Sequence, residues 1–453
     1  MELLRLLDGY EQALLKDIQE LIKIPSMLDE QTSGPGAPFG RDVARALEAY
    51  LDLAKQMGFK VKNVDGYAGH VEYGEGEEIL GVLVHLDVVP PGSGWDCDPF
   101  AGQVNGGKLV GRGAVDNKGP AVIALYALKA LKESGQTLNK RVRLIAGTDE
   151  ESGMRCLEYY FKHEEKPAMG FSPDADFPLI FAEKGILHLR AFWQVKGPIL
   201  ALSGGERPNI VPQTAEARVK LAADLTDLAG RVGVADKVEV TKQGEEFIIS
   251  AKGKSSHASM PEKGENAITR LLDALGNLDL GEQKQAVGFL ARVGRGLNGE
   301  GLNIALSDDV SGKLTCNLGM VRFADGRGEV VLDVRSPVTL KLEDTITRAK
   351  EALEQQGFSV KVTDCDPPHV VPQDSKLVKS LLKVYREVTG DDREAVSIGG
   401  GTYARKLDGA VAFGPVLQGR EEVAHIANEY IYLKDIKKCL EIYAKAILEL
   451  VKN

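Results

Sequence analysis

The chain has 453 residues, enough for two or three domains, and its 43% apolar and 27% charged residues are an ordinary globular balance. A net charge of −10 argues against nucleic-acid and anionic-membrane partners, because both reward clustered lysine and arginine. Cys97, Cys156, Cys316, Cys365 and Cys439 are scattered and form no CxxC pair, so the expectation is reduced thiols in a cytoplasmic protein, without a disulfide frame or a thiolate zinc site.

The opening stretch "MELLRLLDGYEQALLKDIQELIKI" is apolar at helical spacing, but Asp8, Glu11, Lys16, Asp17 and Glu20 interrupt it. It predicts one amphipathic surface helix and not a signal peptide, and no other window is long and apolar enough to span a bilayer. A helix is predicted over 41–57, strands over 60–64 and 78–85, a helix over 119–134, a strand over 141–148 and a helix from Ser152. This alternation predicts an α/β layer with a mostly parallel central sheet flanked by helices. After Lys184 the pattern turns to period two, with strands predicted over 185–195, 216–223, 236–243, 246–253, 315–325, 328–336 and 358–364. Helices over 264–278, 282–294 and 341–356 complete two similar strand–strand–helix groups, an α+β pattern. From Asp374 a helix, the Gly-rich turn "SIGGGTYARK", a short strand and a helix over 432–451 return to the first pattern. The expectation is a discontinuous domain, 1–184 with 373–453, carrying an inserted α+β domain over 185–372.

Chemistry concentrates where apolar strands end. "EEILGVLVHLDVVP" closes a buried strand with His85 and Asp87, two residues apart and so on one face. The carboxyl end of such a strand is where open α/β sheets hold ligands. Taken alone, the pair reads equally as a buried histidine satisfied by its neighbour. "GRGAVDNKGP" frames Asp116 and Asn117 with glycines and lacks the GxxxxGK[ST] spacing of a phosphate loop. "LIAGTDEESG" runs a strand into Asp149, Glu150 and Glu151, acids that repel one another unless a cation sits among them, although a helix start explains one or two of them. "FSPDADFPL" adds Asp174 and "EEVAHIANEYI" adds His425. Jointly these segments offer imidazoles and carboxylates without thiolates, a donor set suited to Zn²⁺, Co²⁺ or Mn²⁺. A carboxylate bridging two metals fits, with one acid left unbound to handle protons. On this reading His85 binds metal, and Asp87 fixes its tautomer.

The motifs "HLDVVP", "GRGAVDNKG", "GTDEESG", "SPDADFP", "ERPNIVPQTAEA", "GKSSHASMPEKGENA", "LDVRSPV", "IGGGTYAR" and "AHIANEY", in this order along nearly the whole chain, resemble the co-catalytic metallopeptidase family. That family includes carboxypeptidase G, succinyl-diaminopimelate desuccinylase, aminoacylase and the bacterial peptidase V dipeptidases, and the likeness is strongest to the last group. The resemblance implies two divalent metal ions, zinc first with manganese or cobalt as alternatives, one held by His85, Asp116 and Asp174 and the other by Asp116, Glu151 and His425. It also implies Glu150 as general base, Asp87 as the clamp on His85, and an Asp116–Asn117 peptide that is often cis. The inserted domain resembles the family's lid. There His257 would stabilise the oxyanion, and Asn209 and Arg335 would bind substrate. Arg335 would take the terminal carboxylate, with Gly400, Gly401 and Thr402 lining that pocket. By local pattern alone, His257 reads as a polar turn residue and Arg335 as a strand-end surface residue. A lid this long favours a monomer. The implied activity is hydrolysis of dipeptides by a metal-activated water. An N-acyl amino-acid deacylase is the alternative enzyme, and an inactive peptide-binding module is the alternative of another class.

Overall fold

In the computed structural model, residues 2–233 and 237–452 are described. The chain divides into two compact units, one of Met1–Phe181, Val370–Val396 and Thr402–Asn453, the other of Ala182–His369 and Ser397–Gly401.

The first unit is built on a sheet with the strand order Lys60–Val64, Ala68–Tyr73, Arg141–Gly147, Ile79–His85, Met169–Ser172, Ala410–Ala412. Its centre is parallel. Ile79–His85 runs beside Arg141–Gly147, with Val82 opposite Leu144 and His85 opposite Gly147, and beside Met169–Ser172, with Val82 opposite Phe171. Ala410–Ala412 continues parallel to Met169–Ser172, while the pairings outside Arg141–Gly147 are antiparallel. Every residue of Ile79–His85 is buried, which explains the apolar run without alternation: this strand is covered on both faces. One cover is the helix Lys118–Glu133, buried nearly all round, against which Leu433–Lys452 packs. Because the central strands are parallel and in this register, the residues following 85, 147 and 172 emerge at one edge.

Two expectations change here. The single N-terminal helix is two, Glu2–Gly9 and Glu11–Ile22, separated at Tyr10. Gly9 is a weak helix former, and the buried Tyr10 packs edge-on against Tyr126 with ring centroids 5.4 Å apart and donates to Glu133 at 2.5 Å. The helix expected from Ser152 begins at Arg155, because Met154 takes a left-handed φ of 56° and Asp149 Oδ2 accepts from the Arg155 N–H at 3.0 Å. The strand Ala68–Tyr73 is additional to those predicted.

The second unit is one eight-stranded sheet, in the order Val238–Gln243, Glu246–Lys252, Thr214–Val219, Ile199–Gly204, Thr315–Ala324, Arg327–Ser336, Gly185–Gln194, Ser359–Asp366. Every pairing in it is antiparallel. Of the strand predicted over 236–243, Asp236 lies outside the described residues, and Ile199–Gly204 is a strand that was not predicted. Thr214–Val219 alternates exposed and buried residues, as its period requires. Ala217, Ile249, Leu318 and Leu332 share one core with Leu271, Leu275 and Leu290, contributed by the helices Ala267–Gly276 and Gln283–Arg295, and with Leu353 from Leu342–Glu354.

Gly170 and Gly81 meet on adjacent parallel strands, where a Cβ on Gly170 would collide with the Gly81 main chain, which cannot swing away. Gly170→Ala is expected to destabilise the first unit by about 1–3 kcal/mol through overpacking. Thermal unfolding of the variant beside the parent checks this, and an unchanged melting temperature contradicts it.

Candidate active site

His85 ends its strand and is fully buried. Its Nδ1 lies 3.0 Å from the main-chain carbonyl oxygen of Asp87, so Nδ1–H donates there and Nε2 keeps its lone pair. That nitrogen faces Asp116 Oδ1 at 2.9 Å and Asp174 Oδ1 at 3.6 Å. The Asp87 main chain thus orients the ring. The carboxylate oxygen stands 3.5 Å from Nδ1, beyond the better-placed carbonyl. Oδ1 accepts from the main-chain N–H of Glu150 at 3.1 Å, and Oδ2 from that of Glu151 at 3.0 Å. The strand stops at His85, and the Asp87 carboxylate reaches the main chain beyond the end of the neighbouring strand.

The three consecutive acids divide by role. Asp149 is bound to Arg155, Oδ2 to Nε at 2.7 Å and Oδ1 to Nη2 at 2.6 Å, and so belongs to the start of its helix. Glu151 Oε1 lies 3.0 Å from His425 Nε2. Glu150 is carried beside them on the same turn. Burial pushes its carboxyl well above the ordinary range, and the Asp174 charge adds to the shift.

Asp116 is the centre of the arrangement. Its Oδ1 meets His85 and its Oδ2 meets His425 Nε2, each at 2.9 Å. The Asp116–Asn117 peptide is cis. Ligand atoms of His85, Asp116 and Asp174 lie within 4.8 Å of one another, and so do those of Asp116, Glu151 and His425. Burial works against the Asp116 charge, yet the two imidazoles hold its pKa far below the usual range. Burial likewise opposes the His425 imidazolium, which Glu151 and Asp116 hold up at about 12. Among the described residues no lysine or arginine pairs with Asp116, Glu150, Glu151 or Asp174. Half-buried acids clustered on two imidazoles and one amide, with no thiolate, form a donor set that fits divalent zinc, manganese or cobalt.

Three residues outside the predicted site hold it in shape. Asn117 accepts from the His85 N–H at 3.2 Å and donates to the Pro173 carbonyl at 2.6 Å and to Asp174 Oδ1 at 3.1 Å, joining three segments. Glu429 Oε1 accepts from the N–H groups of Gly113, Val115 and Asp116 at 3.1, 3.0 and 3.2 Å, while Oε2 takes Arg112 at 2.6 Å. Asn428 accepts from the Asp96 N–H at 2.9 Å and donates to Asp96 Oδ2 at 3.0 Å, bracing the loop on which His425 has a left-handed φ of 65°. Asn117 and Glu429 sit inside the motifs that carry the resemblance. A glutamate directly before the apolar "YIY" was the legible signal for the second.

The remaining predicted residues lie in the second unit, apart from Thr402. The His257 main chain bridges to Ile210, Ala258 N–H donates to the Asn209 carbonyl at 2.9 Å, and His257 Nδ1 lies 2.7 Å from Ser259 Oγ. Arg335 is buried and donates from Nη1 to the Gly399 carbonyl at 3.1 Å, at the head of the turn with Gly400 and Gly401. Thr402 belongs to the first unit, where its Oγ1 accepts from the Ala404 N–H at 3.1 Å and caps the short helix Tyr403–Lys406.

The family described as peptidase family M20/M25/M40 matches over residues 81–449. The chain is 42% identical over 459 residues to a protein of Bacillus subtilis (strain 168) named "Putative dipeptidase YtjP", covering 98% of each chain. Human carnosine dipeptidase 1 is similar in fold with a TM-score of 0.64 at 16% identity, covering 100% of this chain and 98% of that one. The Bacillus subtilis YXEP protein, titled a dinuclear metal binding peptidase from the M20 family, is similar with a TM-score of 0.51 at 12% identity, covering 98% and 99%. A family match across most of the chain and a relative this close along its whole length make this protein a member of peptidase family M20/M25/M40, a hydrolase of peptide bonds.

Proposed function

We propose that the protein is a metal-dependent dipeptidase that holds two divalent cations, zinc before manganese or cobalt. The observation that carries this reading is Asp116, which offers one carboxylate oxygen toward each histidine at 2.9 Å, so that two three-residue ligand groups share it. One cation would be held by His85, Asp116 and Asp174 and the other by Asp116, Glu151 and His425. Cations bound there supply Lewis acidity toward the scissile carbonyl and acidify a water at neutral pH.

The chain's own residues do the rest. Glu150, left out of both ligand groups, takes a proton from the attacking water and passes it to the leaving amine nitrogen. Its raised proton affinity suits the second half of that task, and cations bound beside it would oppose the shift and favour the first. Asp87 sets where Glu150 and Glu151 stand through their main-chain N–H groups. His257 donates to the carbonyl oxygen as negative charge gathers on it. Arg335, together with Asn209, Gly400, Gly401 and Thr402, receives the far end of a small peptide, with the guanidinium on its carboxylate. The five cysteines are free, which fits a cytoplasmic protein, and we take the chain to act as a monomer.

A panel of dipeptides with free and with acetylated amino termini tests the activity. Protein stripped by chelator and reloaded with Zn²⁺ or Mn²⁺ is expected to hydrolyse the free dipeptides and to spare the acetylated ones. The reverse preference assigns a deacylase, and binding without turnover at every metal assigns a binding module. Glu150→Ala is expected to retain both metals by elemental analysis while kcat falls about 10²- to 10⁴-fold; a variant that stays active removes Glu150 as the base. Asp87→Asn offers one carbonyl oxygen where two main-chain N–H groups now find two carboxylate oxygens. Its kcat is expected to drop about 10- to 100-fold while the first metal stays bound, and full activity would show that the 150–151 turn holds itself.

A further inference from the structure

In the second unit, Gly185–Gln194 lies between two antiparallel neighbours, Arg327–Ser336 and Ser359–Asp366. The register sets His188 directly opposite Asp333 on one side and Asp364 on the other. A histidine flanked by two cross-strand acids on one sheet face is a favourable pairing of opposite charges. The register shifts between His188 and Leu189, an irregularity of the kind that re-aims a side chain. Arg335 follows Asp333 by two residues and so shares its face.

The side chains form a line. His188 Nδ1 is 3.3 Å from Asp364 Oδ2, and His188 Nε2 is 2.9 Å from Asp333 Oδ2. Asp333 in turn accepts from Arg335, Oδ1 from Nε and Oδ2 from Nη2, both at 2.7 Å. Asp333 is completely buried and Arg335 nearly so. A carboxylate in that position is costly unless each oxygen is satisfied. Burial works against the Asp333 charge, but Arg335 and His188 hold its pKa at about 2. Burial also works against the His188 imidazolium, which Asp333 and Asp364 hold up at about 9.

This order determines what Arg335 can do. Its Nε–H and one Nη2–H go to Asp333, and one Nη1–H goes to the Gly399 carbonyl. One N–H remains on each of Nη1 and Nη2. The direction of that remaining pair depends on the plane of the guanidinium, which Asp333 fixes, and Asp333 is fixed from the far side by His188.

We propose that His188, anchored by Asp364, is a positioning residue for Arg335 and tunes recognition of the substrate's terminal carboxylate without touching the substrate; this rests on the reading of Arg335 as the carboxylate binder. Removing His188 leaves Asp333 Oδ2 with one donor fewer and lets the Asp333–Arg335 pair turn as a body. Carboxylate recognition then weakens while the chemistry at the first unit's acids is untouched.

The test compares one dipeptide with its C-terminal amide, on metal-loaded full-length protein, for the parent, His188→Ala, His188→Gln and Arg335→Ala. His188→Ala is expected to raise KM for the free acid about tenfold, the effect of one lost hydrogen bond to a charged group. Its kcat is expected to stay within about twofold and its KM for the amide to stay unchanged. His188→Gln, whose amide nitrogen can still donate to Asp333, should recover most of the loss. A His188→Ala variant that weakens acid and amide alike has only a structural defect, and one that changes neither has no role; both results overturn the proposal. If Arg335→Ala fails to separate acid from amide, the reading of Arg335 falls and takes this inference with it. If Arg335→Ala separates them and His188→Ala does not, this inference alone falls. Where His188→Ala does not fold, His188→Leu, which keeps bulk but cannot donate to Asp333, decides beside Arg335→Ala on the same acid-to-amide ratio.

Discussion

Everything at the first unit's strand edge answers one electrostatic demand: four half-buried carboxylates gathered together with, among the described residues, no lysine or arginine as a partner. Such a group does not assemble on its own, because each acid raises the proton affinity of the next. The fold lowers the cost with main-chain dipoles and neutral donors. Asp87 takes two N–H groups, Glu429 takes three and a guanidinium, and Asn117 supplies an amide to Asp174. The imidazoles then stand where a cation's charge is most needed. Parallel strands are the means: only strands running the same way in register can bring His85, the 149–151 turn and Asp174 to one level.

The second unit meets a smaller version of the same demand in a different way. Asp333 is buried as deeply as any ligand acid, yet it is surrounded by permanent or strongly held positive charge from Arg335 and His188. It has no need of an added cation. The contrast separates two kinds of acid in one chain, those with a guanidinium partner and those, among the described residues, without one. Asp149, closed off by Arg155, belongs with Asp333 although it is adjacent in sequence to Glu150.

Much of this was legible in the sequence. The buried strand 79–85, the period-two strands of the second unit and the long helices have strong, uninterrupted signals, and the structure places them within a few residues of expectation. Acids and histidines at strand ends stood out because apolar runs seldom end that way. Weak signals failed for identifiable reasons. Ala68–Tyr73 and Ile199–Gly204 are short and mix glycine and alanine with their apolar residues, so their strand character comes from the neighbours they pair with. The split after Gly9 reflects the docking of Tyr10 on a distant helix, which local spacing does not encode. That Asp87 meets the His85 ring through its main-chain carbonyl is finer than any periodicity resolves. Asn117 braces segments tens of positions apart, Asn428 and Glu429 segments more than three hundred apart, and only the folded chain reveals such pairings.

The Glu429 brace has a temporal consequence. The loop that presents Asp116 hangs on an anchor made more than three hundred residues later in synthesis, and His425 leaves the ribosome with that same anchor. A chain that stops short of the 425–429 segment lacks both His425 and the Glu429 oxygens that hold the Asp116 loop. The candidate ligand set is in this way complete only once the C-terminal segment is in place.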